Sequence, residues 1–120
     1  MEILNIELEE KTDFTLRIIF RDDTTNLPVD LTGYSALLQI RPTWGSPIVL
    51  DELTSTSGNI VLGGQSGTID MVFIPGDTYL VDQTIGWARG TYDLIIIDPD
   101  GMRKKLLKGF VTVSRSATLI

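Results

Sequence analysis

Hydrophobic and polar residues alternate one for one along most of this chain. Phe14, Leu16, Ile18 and Phe20 alternate with Thr15, Arg17, Ile19 and Arg21. Successive side chains of a strand point to opposite faces, so this run predicts a half-buried strand. Ala36, Leu38 and Ile40 repeat the pattern against Ser35, Gln39 and Arg41, and Ile69, Met71 and Phe73 repeat it against Thr68 and Asp70. Tyr92, Leu94 and Ile96 make a fourth inward set, and Leu107, Val111 and Val113 a fifth. Residues 3 to 9, 47 to 53 and 59 to 62 are shorter candidates.

Turn chemistry separates the runs. Asp22-Asp23-Thr24-Thr25-Asn26 reads as a polar loop and Gly63-Gly64-Gln65-Ser66-Gly67 as a flexible connector. Asp98-Pro99-Asp100-Gly101 is the sharpest signal, because Pro presets φ early in a turn and Gly supplies positive φ at its end. It predicts a hairpin over residues 91 to 113. Residues 75 to 84 carry the only helical hint, with Pro75 acceptable in a first turn. Short strands with turns every 8 to 12 or so residues predict an all-β sandwich or barrel. No break in composition marks a second domain, so residues 1–120 read as one sandwich, with 113–120 as a C-terminal tail.

Composition narrows the chemistry. The 120 residues are 42% hydrophobic and 22% charged, which suits a folded domain rather than a disordered chain. The net charge of −6 disfavours sequence-independent nucleic-acid binding. There is no cysteine and no histidine, so disulfides, thiolate metal sites and the commonest general base are all missing. The acidic N-terminus is unlike a signal peptide, and no apolar run nears the roughly 20 residues that span a bilayer. A cytoplasmic place of synthesis is the expectation.

The acidic loops at Asp22-Asp23 and Asp98 to Gly101 lack the spacing of a calcium loop, and Asp is favoured in turns for its own hydrogen bonds. Asp51 and Glu52 are adjacent and would face opposite sides of a strand; nothing holds two carboxyls roughly 5 to 10 Å apart for glycoside chemistry. The glycine-rich connector lacks the Lys-Ser/Thr ending of a phosphate loop. The expectation is a protein without catalytic residue, cofactor or metal. Trp87 reads as a plug at one end of the sandwich. Trp44, in Pro42-Thr43-Trp44-Gly45-Ser46-Pro47, reads as a contact anchor, a sugar platform or a cap over the core. Glu2, Glu7, Glu9 and Glu10 oppose Arg103, Lys104, Lys105 and Lys108, which suggests pairing of the first strand with the last, within or between subunits.

Several motifs together resemble a known group. They are Thr12-Asp13-Phe14, Pro28-Val29-Asp30-Leu31-Thr32-Gly33-Tyr34, Gln39-Ile40-Arg41, Gly67-Thr68-Ile69, Trp87-Ala88-Arg89-Gly90-Thr91-Tyr92-Asp93-Leu94, and Asp100-Gly101 followed by Leu106-Leu107-Lys108-Gly109-Phe110-Val111-Thr112-Val113. Over roughly residues 10 to 115 the chain resembles the immunoglobulin-like tail and baseplate domains of siphophages, including the N-terminal domain of upper baseplate proteins. The resemblance implies an immunoglobulin-like β-sandwich of about 7–9 strands that serves as a virion building block near the tail tip, fibre base or neck. It implies other virion proteins as partners and a virion location after synthesis in a bacterial host; a homo-oligomer, no nucleic acid and no membrane are further expectations. It carries no catalytic residue. The alternative expectation is a module binding a carbohydrate or host surface through Trp44.

Some outward positions are apolar. Ile95 and Ile97 are out of phase with Tyr92, Leu94 and Ile96, and Leu106 and Phe110 with Leu107, Val111 and Val113. In a simple hairpin register these four share one outer face, and such a patch marks a partner surface. Val72 and Ile74 on another strand, Trp44, and the apolar end at Leu119 and Ile120 complete the candidate interface set. The alternative is that a loop or terminal segment of the same chain covers the patch, or that a bulge at Gly101 shifts the register and returns some of these residues to the core.

Overall fold

The computed structural model describes residues 2–9, 12–73 and 87–114. Nine strands lie among them: β1 Glu2–Ile3, β2 Ile6–Glu9, β3 Phe14–Ile19, β4 Ser35–Arg41, β5 Asp51–Thr54, β6 Ile60–Leu62, β7 Thr68–Phe73, β8 Trp87–Ile97 and β9 Arg103–Ser114. They form two sheets. The larger runs β1-β9-β8-β4-β5, with β2 also on β9, and the smaller runs β3-β7-β6. β1 and β2 pair with β9 in parallel, whereas the β8–β9, β4–β8 and β4–β5 pairs are antiparallel. A first strand parallel to the last, a last hairpin flanked by the central strands, and a separate three-strand sheet make the strand order of a variable-type immunoglobulin domain. The fold is an immunoglobulin-like β-sandwich.

The inward rows supply the core. Leu38, Ile40, Leu94 and Val111 of the larger sheet meet Ile60, Ile69, Met71 and Phe73 of the smaller, all fully buried. Burying one such side chain contributes about 1.5–3 kcal/mol. With no cysteine in the chain, aliphatic packing does the work that an inter-sheet disulfide does in antibody domains.

The turns are built as their residues dictate. Asp30 Oδ1 accepts from the Thr32 N–H (3.0 Å) and hydroxyl (2.6 Å), and Gly33 at φ 81° lets the chain reverse while Leu31 drops into the core at 2% exposure. Asp98 Oδ1 accepts from the N–H groups of Asp100 and Met102, both at 2.9 Å. The stretch read as a flexible connector is a short 3-10 helix, Gly64–Ser66. It is pinned because the Leu31 N–H donates to the Gly64 carbonyl and the Gly63 N–H to that of Thr68. The stretch 75 to 84 with its helical hint lies outside the described residues.

Candidate interaction surfaces

The outer face of the larger sheet is a set of cross-strand rungs. From one end these are Ser35, Ile97 and Arg103; Leu37, Ile95 and Lys105; Gln39, Asp93 and Lys108; and Arg41, Thr91 and Phe110. Ile95, Ile97 and Phe110 therefore share a face, as the alternation predicts. The Gln39–Asp93–Lys108 rung separates the isoleucines from Phe110. Lys105 Nζ lies 3.1 Å from an Asp93 carboxylate oxygen, closing this polar row.

Leu106 departs from the expectation. Leu94 opposes Leu107, but Ile95 opposes Lys105, so Leu106 is the extra residue of a β-bulge. The bulge turns Leu106 back against the core, where it packs half-buried. Beyond it the phase of β9 is inverted: Lys104 pairs with the inward Ile96, and its ammonium stands 5.1 Å from the centre of the Phe20 ring. Val72 pairs with Thr15 on the outer face of the smaller sheet, on the opposite side of the molecule from Ile95. Ile74, Leu119 and Ile120 lie outside the described residues, as does the Trp87 side chain.

Trp44 sits beside the same outer face. Arg41 donates to the Ser46 carbonyl (2.6 Å) and to Gln39 Oε1 (2.7 Å), and Gln39 donates to Glu52 (2.6 Å). This chain of polar bonds ties the loop of residues 42–50 to the sheet. The Trp44 ring is half exposed, with Lys108 Nζ 5.9 Å from its centre. Arg89 stacks over Phe110 at 4.3 Å. One end of the face is thus an aromatic–cation cluster, and the other carries the aliphatic rung of Leu37 and Ile95. Leu37 was missed in the sequence; its signal is the Leu37-Leu38 doublet, where one leucine must face outward. Ile48 and Val49 on the loop are exposed apolar residues of the same kind.

No family model matches the chain, and no curated protein matches it. Among solved structures it is similar to murine CRIg, at 12% identity and a TM-score of 0.40, over 93% of this chain and 92% of that one. It is also similar to the Drosophila OTK extracellular domains 3–5, at 14% identity and a TM-score of 0.40, over 97% of this chain and 34% of that one. The strand order, rather than these distant likenesses, carries the fold assignment.

Three carboxylates are held in turns and pairs. Backbone N–H groups of Thr25 and Thr24 hold Asp22 below the usual carboxylate range, the Thr32 hydroxyl and N–H do so for Asp30, and the Arg17 guanidinium does so for Asp70. Among the described residues no three acidic side chains gather as a metal site. The expected pairing of first and last strands is present within one chain, as β1 and β2 on β9. Among the described residues, however, no ion pair joins Glu2, Glu7 or Glu9 to the β9 cations; main-chain bonds and the apolar Ile6 and Leu8 hold the strands together.

Proposed function

We propose that this chain is a building block of a bacteriophage virion, in the tail, baseplate, fibre junction or neck, and that it works through protein–protein contacts without catalysis. The observation that carries the reading is the outer face of the larger sheet. It presents Ile95, Ile97, Leu37, Phe110 and Trp44 on a rigid surface, and flat apolar and aromatic surface on a rigid scaffold is what protein interfaces use. The motif residues by which the chain resembles siphophage tail and baseplate domains support the setting. Leu31 and Tyr92 sit in the core, and Asp30, Gly33 and Gly101 shape the turns.

Purified virions should contain the chain by mass spectrometry. The double variant Ile95→Lys with Phe110→Glu should fold and yet be left out of assembled particles. Absence of the wild-type chain from particles would end the virion reading. A carbohydrate-binding role rests on Trp44, whose ring is half exposed. A saturable glycan-array signal lost in Trp44→Ala would favour it.

A further inference from the structure

Among the described residues, the smaller sheet ends in a strand that pairs along one side alone. Among the described residues β3 pairs only with β7. The Phe20 N–H donates to the Gly67 carbonyl (2.8 Å), and on β7 the Val72 N–H donates the other way, to Asn59 beside β6 (2.8 Å). Both fix the same phase. The main-chain groups of Phe14, Leu16, Ile18 and Phe20 face β7, and those of Thr15, Arg17 and Ile19 face the open edge. The core-side row of β3 is also unfinished. Leu16 and Ile18 are only half-buried and Phe14 is exposed, whereas Ile69, Met71 and Phe73 opposite them are at 0%. Beside β3 the two sheets leave a groove of about 410 Å³, lined by the apolar Ile18, Phe20 and Leu107 and by the charged Arg21, Asp23 and Lys105.

The sequence of this edge is its own complement. Read outward from Arg17 it pairs Leu16 with Ile18, Thr15 with Ile19, Phe14 with Phe20 and Asp13 with Arg21. We propose that two copies of this chain join through β3, edge to edge and antiparallel, about a two-fold axis at Arg17. In that register the open-edge groups of Arg17 bond to those of Arg17 of the second copy, and Thr15 bonds to Ile19. On the core side Phe14 of each copy meets Phe20 of the other at the groove, and Asp13 meets Arg21 at both ends. The two Arg17 side chains do not oppose as bare charges, because each is held by its own Asp70 through two bonds of 2.6 and 2.9 Å. Strand addition at a free edge is a standard route to association. This surface is separate from the outer face of the larger sheet and is independent of the virion reading.

The test uses the absence of cysteine. Opposed residues in a hydrogen-bonded antiparallel pair have Cα atoms about 5.5 Å apart, within disulfide reach. Arg17→Cys should form a covalent dimer under mild oxidation far faster than Val61→Cys, an exposed control on β6. In sedimentation velocity the wild type should be a dimer. Thr15→Lys with Ile19→Lys should lose the dimer while keeping the β-sheet spectrum. Thr15→Glu with Ile19→Lys should keep it, since this register faces each Glu with a Lys. A monomeric wild type with no excess of Arg17→Cys cross-linking would overturn the proposal. So would a dimer that survives the two lysines and is lost on Ile95→Lys with Phe110→Glu.

Discussion

At Gly109 a Cβ would fall 2.2 Å from the Leu4 carbonyl oxygen, so only glycine lets the link between β1 and β2 lie against β9. The same carbonyl accepts a 2.6 Å bond from the Tyr92 hydroxyl, and the neighbouring Asn5 side chain accepts from the Phe110 N–H (3.1 Å). Three side-chain choices, at positions 5, 92 and 109, thus fix where the first strand crosses the last hairpin. Burial pushes the Tyr92 phenol up from 10.0 to about 12. The folded state holds this proton more tightly than the unfolded state. The stability it contributes is therefore whole below about pH 10 and lost as pH rises towards 12. Tyr92→Phe leaves the Leu4 carbonyl without its donor and should cost about 1 kcal/mol at neutral pH in urea titration. The variant should also lose stability less steeply above pH 10; an unchanged alkaline slope would show that the phenol does not couple to folding.

At the scale of elements, β3, β4, β7 and β8 were legible because their period of two survives to the ends. In β4, β7 and β8 one inward row is buried and in β3 it is partly buried, so a one-residue slip would expose it. β9 was legible in its inward Leu107, Val111 and Val113, whereas the facing of residues 103–106 was not, because the Leu106-Leu107 doublet does not say which leucine is the extra residue of a bulge. The bulge shows itself only against β8, where Leu94 and Ile95 are out of step with their partners. The shared face of Ile95, Ile97 and Phe110 was legible, whereas the association of Trp44 with that face depends on the Arg41–Ser46 bond of a loop. Parallel pairing of β1 and β2 with β9 was visible only as opposite charge, though among the described residues no ion pair joins those charges. The bulge gives a contrast to measure. Leu106→Ala should lower stability by about 1 kcal/mol, because it removes apolar surface from the core margin. Phe110→Ser on the exposed side should cost less. If the order is reversed in urea melts, Leu106 does not belong to the core.

For the whole molecule, acid is the condition that tests the electrostatics together. Sixteen acidic residues against ten basic ones give a net charge of −6 at neutral pH. Three of the carboxylates hold structure in separate places: Asp22 in the loop after β3, Asp30 in the turn before β4, and Asp70 across the β3–β7 pair. All three are held below the ordinary value of 3.8, by backbone N–H groups, by the Thr32 hydroxyl and by Arg17 respectively. A carboxyl whose folded value is lowered contributes stability that is whole above its unfolded value and lost as pH falls through the folded one. The urea midpoint should therefore hold steady from neutral pH down to about pH 4 and then decline. Near pH 4.4 the net charge passes through zero, so solubility should be lowest there while the fold is still intact. Asp70→Asn separates local from global effects. It removes the Arg17 pair and one of the three lowered carboxyls, so the decline below about pH 4 should become shallower. An Asp70→Asn variant whose acid decline matches the wild type would mean that the Arg17–Asp70 pair adds nothing to the coupling of β3 to β7.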